Sequence, residues 1–156
     1  MYSTTIDHVM LYVRELEPSI AFYTTYLNLR VTEVVQGKVA FLTSGGPHHE
    51  VALYARGAEA SAVPEGSVGL CHLAFSVSDK RSFAEAYRKL VDSNVKVSPV
   101  DHQIGWGVYF SDPDGNRLEI YCDTRNEPDG ASLWHGENRP LLGSRILAEF
   151  EAPTSG

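Results

Sequence analysis

Two segments of this chain, 64 residues apart, follow one pattern. Ile6-Asp7-His8-Val9-Met10-Leu11-Tyr12-Val13 aligns with Leu70-Cys71-His72-Leu73-Ala74-Phe75-Ser76-Val77, placing the histidines 72 − 8 = 64 positions apart. Such self-similarity decides the architecture of a chain. Both segments alternate with a period of two and are rich in β-formers, so each predicts a strand with its histidine on one face. A helical pattern follows each. In the first copy Pro18 stands where a helix starts, and Leu16, Ile20, Tyr23 and Leu27 recur at steps of four, three and four. In the second copy Asp79 is a candidate cap, and Phe83, Ala86, Tyr87 and Leu90 fall at i, i+3, i+4 and i+7. Shorter strand patterns complete each copy: Arg30 to Val35, Lys38 to Thr43 and His49 to Ala55, then Lys96 to Val100, Gly107 to Phe110 and Arg117 to Cys122. Each half therefore reads β-α-β-β-β.

The two modules run over about residues 4–56 and 68–123, and the Ala-, Gly-, Ser- and Pro-rich stretch 56–67 is the linker between them. Together they make one domain over residues 1–123. The chain of 156 residues fits that single-domain prior, and folding is expected to bury roughly 65 to 70% of its extended surface. Past Cys122 a turn-rich run, Asp123 to Gly130, leads to Trp134-His135-Gly136 and an amphipathic stretch from Ser144 to Phe150. Residues 124–156 read as an extension beyond the repeated core, with Ala152 to Gly156 expected to be disordered.

Charge and composition exclude several classes of partner. The formal net charge is −7 and no Lys/Arg cluster is present, so a nucleic-acid or anionic-membrane surface is not expected, and a small molecule fits better. The longest apolar runs, such as Val39-Ala40-Phe41-Leu42, fall far short of the ~20 residues of a membrane helix. The N-terminus lacks the basic and apolar regions of a secretory signal, which points to a cytoplasmic protein. Cys71 and Cys122 are too few for a disulfide framework and lack zinc-site spacing, so both are expected to be reduced and structural.

His8 and His72 occupy equivalent points of two first strands, where pseudo-symmetry can bring them face to face across a cavity. Glu119 lies inside Arg117-Leu118-Glu119-Ile120-Tyr121, a strand in which a carboxylate has no packing reason to sit. Facing the core it needs a partner or a metal; facing outward it leaves Leu118 and Ile120 to the core, and alternation alone permits both. Two imidazoles and one carboxylate form the facial triad that suits non-haem Fe(II), with Mn(II) also accepted by such ligands. Cys71 and Cys122 stand an odd number of residues from the nearest ligand and are expected to point elsewhere.

A longer motif then narrows the chemistry. Val100-Asp101-His102, Val108-Tyr109 and Asp112-Pro113-Asp114-Gly115-Asn116-Arg117-Leu118-Glu119 together resemble the signature of type I extradiol ring-cleavage dioxygenases of the vicinal oxygen chelate superfamily. The resemblance implies an α+β fold, with two βαβββ modules forming a cup-shaped mixed sheet around a metal held by His8, His72 and Glu119. It also implies that His102 and Tyr109 line the substrate pocket. His48-His49-Glu50-Val51-Ala52-Leu53 is similar to the strand carrying the family's acid-base histidine, a role that falls to His49, with His48 as the competing choice. The tail resembles that of single-domain catechol 2,3-dioxygenases, with the segment around Trp134 placed to close over the cup.

The implied reaction is extradiol cleavage of a catechol by O2, which gives a ring-opened semialdehyde. Trp106, Phe110 and Tyr121 are candidate flat walls for the ring, although aromatic residues on strands are more often plain core. A homo-oligomer is expected by resemblance. Thiol transferases and isomerases share the fold, and so do non-catalytic antibiotic-binding modules. An isomerase-type site lacks a second carboxylate here, because Ala52 aligns with Glu119.

Overall fold

The structure, a computed structural model, describes residues 1–46 and 48–151. The tail residues Ala152 to Gly156, expected to be disordered, lie outside the described residues. The chain divides into two compact units, Met1–Val68 with Asp112–Asn116, and Gly69–Ser111 with Arg117–Gly156. No helix among the described residues is long and apolar enough to cross a membrane.

The first unit runs β1 (Val9–Val13), α1 (Leu16–Leu27), β2 (Arg30–Val35), β3 (Val39–Thr43) and β4 (Val51–Ala55). Its sheet has the order β1-β4-β3-β2, with β1 and β4 parallel and the other pairs antiparallel. Pro18 is the third residue of α1, inside the first turn, where its missing N–H breaks no helical bond. The helix stops at Asn28, whose left-handed φ of 52° lets its N–H turn back to the Tyr23 carbonyl. Alternation sends Leu11, Val13, Ala40, Leu42, Val51 and Leu53 to one face of the sheet, all buried, and Tyr23 of α1 is buried with them. The Tyr23 hydroxyl donates to Asp112 Oδ2 at 3.1 Å. Asp112 also accepts from the backbone N–H groups of Asp114 and Asn116, so the expected Pro-Asp-Gly turn is closed by the residue just before it, with Gly115 at φ 89°.

The second unit runs β5 (Leu73–Val77), α2 (Lys80–Asp92), β6 (Ser98–Asp101), β7 (Gly105–Ser111), β8 (Arg117–Asp123), β9 (Arg139–Pro140) and α3 (Gly143–Leu147), with a 3-10 turn at Ala148–Phe150. Its sheet order is β5-β8-β7-β6-β9, and β5 pairs with β8 in parallel. Asp79 caps α2 as expected, its carboxylate accepting from the Ser82 N–H at 2.7 Å. The helix buries Phe83, Ala84 and Leu90, and the Phe83 ring meets Trp106 edge-on at 5.9 Å.

Both modules thus show the expected β-α-β-β-β order, with two shifts. The first strands start at Val9 and Leu73, three residues later than their patterns, so His8 and His72 sit one residue ahead of the strands. The tail is also not an appendage. Residues Arg139–Pro140 add a fifth strand beside β6, while α3 packs on α2 with Ile146 wholly buried. Arg145 and Lys80 both stack on Trp106, and Arg145 reaches the buried Asp101 at 2.9 Å.

Two predictions follow from this packing. Truncation after Thr124 strips Leu141 and Ile146 from the core and should cost about 3 kcal/mol or more in urea unfolding. In the native protein a thiol reagent should titrate one cysteine, Cys71, which is exposed. Cys122, which is buried and whose thiol burial pushes up to about 11, should react only after unfolding.

Candidate metal and substrate site

Strand β8 carries its side chains to two different environments. Leu118, Ile120 and Cys122 are buried on the face that α2 packs against, so Glu119 and Tyr121 turn to the opposite face. The outward-facing alternative for Glu119 is therefore the geometry found, yet its side chain is only 6% exposed. Neighbouring strands supply the cover. Register places Tyr109 directly opposite Glu119, and Ala74 on its other flank; His72, two residues before Ala74, falls on the same face. His72 Nε2 lies 3.1 Å from Glu119 Oε2. His102, just beyond β6, turns its Nε2 to Tyr109 Oη at 3.0 Å and stands 3.8 Å from Glu119 Oε1. His72 and Tyr109 meet edge-on, their ring centres 5.4 Å apart.

Close packing here depends on Gly107. A β-carbon at that position would collide with Glu119 Oε1 and stand 3.2 Å from His102 Nε2. Only glycine leaves the carboxylate and the imidazole where they are. Burial first, and then the neighbouring Glu119 carboxylate, push the Tyr109 hydroxyl up to about 12. Tyr109 is accordingly a protonated donor throughout the neutral range.

Within the first unit His8 and His49 stack with their ring centres 4.6 Å apart, and His48 Nδ1 approaches His49 Nδ1 at 3.0 Å. Asp7 Oδ2 holds His8 Nδ1 at 2.7 Å, which leaves Nε2 as the nitrogen that could ligate. Partial burial, followed by the charges of His8 and His48, lowers the His49 pKa. The neutral imidazole is therefore its resting form near pH 7.

The structure thus gathers His72, Glu119, His102 and Tyr109 in the second unit, and His8, His48 and His49 in the first. Among the described residues no three His, Cys, Asp or Glu side chains converge as a complete metal cage. The pair His72 and Glu119 does fit a metal ion. Two ligand atoms on adjacent corners of an octahedron, with bonds near 2.1 Å, stand about 3.0 Å apart, and the observed separation is 3.1 Å. An imidazole nitrogen beside a carboxylate oxygen is also the donor chemistry that such a site requires.

The expected aromatic walls need correction. Trp106 and Phe110 are 2% and 4% exposed and alternate onto the α2 face, where Trp106 packs against Phe83; both are core. Tyr121 does share the face of Glu119, but its hydroxyl donates to the Ile104 carbonyl at 3.2 Å. The residues that sequence reasoning passed over are Asp7, Gly107 and Asn138. A carboxylate beside His8 was a readable signal for the first; the other two act through contacts that no local pattern carries.

The profile of the Glyoxalase/Bleomycin resistance protein/Dioxygenase superfamily matches residues 5–120. The chain belongs to this superfamily. Its fold is the vicinal oxygen chelate fold, a mixed α+β arrangement of two βαβββ modules. A "Catechol-2,3-dioxygenase" of Bacillus subtilis is 31% identical over 121 residues, which cover 77% of this chain but 42% of that protein. "Biphenyl-2,3-diol 1,2-dioxygenase 3" of Rhodococcus globerulus is 30% identical over 137 residues, 85% of this chain and 70% of the relative. A different activity stands in the name of "Metallothiol transferase FosB" from Staphylococcus saprophyticus, 29% identical over 125 residues, 77% of this chain and 78% of that protein. Among solved structures, a glyoxalase/dioxygenase from Nostoc punctiforme superposes with a TM-score of 0.65 at 29% identity, covering 76% of this chain and 90% of that one.

Metal binding provides the check on this geometry. Glu119→Ala should abolish tight Fe(II) or Mn(II) binding in anaerobic calorimetry while leaving circular dichroism unchanged. Gly107→Ala should weaken binding about 10- to 100-fold by displacing the carboxylate.

Proposed function

We propose that this chain is an Fe(II)-dependent extradiol dioxygenase that opens the ring of a catechol with O2. His8, His72 and Glu119 are the proposed metal ligands, the first on the strength of its equivalence to His72 in the repeat. The observation that carries the reading is the cluster of Tyr109, His102 and Glu119 on one sheet face, a hydroxyl donor and an imidazole held beside a buried carboxylate. The named relatives that act on vicinal diols support it.

When bound, Fe(II) supplies the redox centre that couples an electron-rich diol to O2. The protein's own groups then have distinct tasks. Tyr109, held protonated by its raised pKa, donates a hydrogen bond to a substrate oxygen and cannot itself deprotonate the diol near pH 7. His102 faces the same space with Nε2 and orients the second polar contact. His49, neutral at rest, is the base that takes a diol proton, and as imidazolium it can return that proton to a departing oxygen. Between them they separate orientation from proton transfer.

A second reading has one specific observation in its favour. The chain spans 78% of the metallothiol transferase but only 42% of the Bacillus dioxygenase. The two are told apart by loading the protein with Fe(II) without oxygen, adding catechol, and following O2 uptake with the yellow ring-opened product. Equimolar uptake is expected, lost in Glu119→Ala and reduced about 10- to 1000-fold in kcat by Tyr109→Phe. No uptake, with thiol consumed by the Mn(II)-loaded protein only when an electrophilic acceptor is supplied with it, would replace the dioxygenase with a transferase.

A further inference from the structure

The inward nitrogen of His102 is fixed by a residue of the tail. His102 Nε2 faces Tyr109 Oη at 3.0 Å, while Nδ1 lies 2.8 Å from Asn138 Oδ1. A neutral imidazole carries its proton on one nitrogen only, so whatever Asn138 presents to Nδ1 decides what Nε2 offers to the site. An amide can present either its oxygen or its NH2, and one neighbour decides between them. Trp134 Nε1 is 3.2 Å from the same Oδ1, and an indole N–H can only donate. A flipped amide would set two donors head to head. Oδ1 therefore accepts from both Trp134 and His102, which puts the proton on Nδ1.

The tail is anchored well enough to do this. β9 pairs Arg139 with Asp101 and Pro140 with Val100, directly before His102. Gln103 is held on both sides, its Nε2 donating to the Glu137 carbonyl at 3.1 Å and its carbonyl accepting from the Ala131 N–H at 2.8 Å. Trp134 Nε1 also reaches the Glu137 carbonyl at 3.2 Å, and the Trp134 ring stands edge-on to His102 with centres 5.9 Å apart. The His102 N–H donates to the Gly105 carbonyl at 2.8 Å, so backbone and ring are each set independently.

We propose that Asn138, itself oriented by Trp134, is a positioning residue that holds His102 as its Nδ1–H tautomer with the Nε2 lone pair turned toward Tyr109 and Glu119. With Nε2 an acceptor, the Tyr109 hydroxyl donates to it before substrate binds; a bound diol takes over both groups, its hydroxyl donating to Nε2 while Tyr109 turns its O–H to a substrate oxygen. Free histidine in water prefers the opposite tautomer, so the preference has to come from the fold. The catalytic consequence rests on the dioxygenase reading; the tautomer does not.

Nitrogen-15 NMR of the metal-free full chain at about pH 8.5, where imidazole is neutral, reads the tautomer directly from the two ring-nitrogen shifts. His102→Asn identifies the signals. Wild type should show a protonated Nδ1 and a bare Nε2. Asn138→Leu and Trp134→Phe should move His102 toward Nε2–H, and Asn138→Asp, which keeps the acceptor, should restore Nδ1–H. In turnover, Asn138→Leu should lower kcat roughly 10-fold with KM within about twofold, and Asn138→Asp should recover it. An Nε2–H tautomer in wild type, or an unaltered tautomer in Asn138→Leu, overturns the proposal. The NMR pattern without ring cleavage in any variant supports the tautomer assignment and removes the dioxygenase reading instead.

Discussion

A carboxylate in the middle of a sheet face, with its side chain 6% exposed, has to be matched by its neighbours or not be charged at all. Glu119 sets that demand, and much of the second unit answers it. His72 and Tyr109 come to it through strand register, His102 through the end of β6, and Gly107 by having no side chain. The same face that would be unstable without partners is thereby the one equipped to hold a cation.

The first unit shows what the repeat looks like without that demand. Ala52, the counterpart of Glu119, is wholly buried beside Met10 and Phe41, and the acid of that sheet, Glu33, lies two strands away in β2, exposed. Its polar groups gather at the strand ends, where His8, His48 and His49 crowd together and their mutual repulsion helps keep His49 neutral. The two copies of the repeat thus differ, one carrying the buried acid and the other a cluster of imidazoles.

The parts of the fold that were legible in the sequence are those set by local rules. Period-two alternation located β2 to the residue, the Asp79 cap marked the start of α2, and the Pro-Asp-Gly turn lies where its residue types require. The repeat paired His8 with His72, and the motif ending at Glu119 named the neighbours His102 and Tyr109, which the structure does bring to that carboxylate. The identities of Trp106 and Phe110 were misleading, because aromatic rings suit either a pocket wall or a core, and only the α2 contact assigns the face. Gly107 and Asn138 were silent for another reason. One acts through a missing atom and the other across 36 residues of chain, and neither leaves a periodic trace.

The order in which the chain is made gives the tail a further meaning. β5 finds its parallel neighbour only when β8 has followed, and His102 meets Asn138 and its anchors later still. A nascent chain leaving the ribosome thus presents the acid and its histidines first and sets their orientation last. A polypeptide interrupted between the two would carry His72, His102, Tyr109 and Glu119, yet its His102 ring would lack the Asn138 contact on Nδ1.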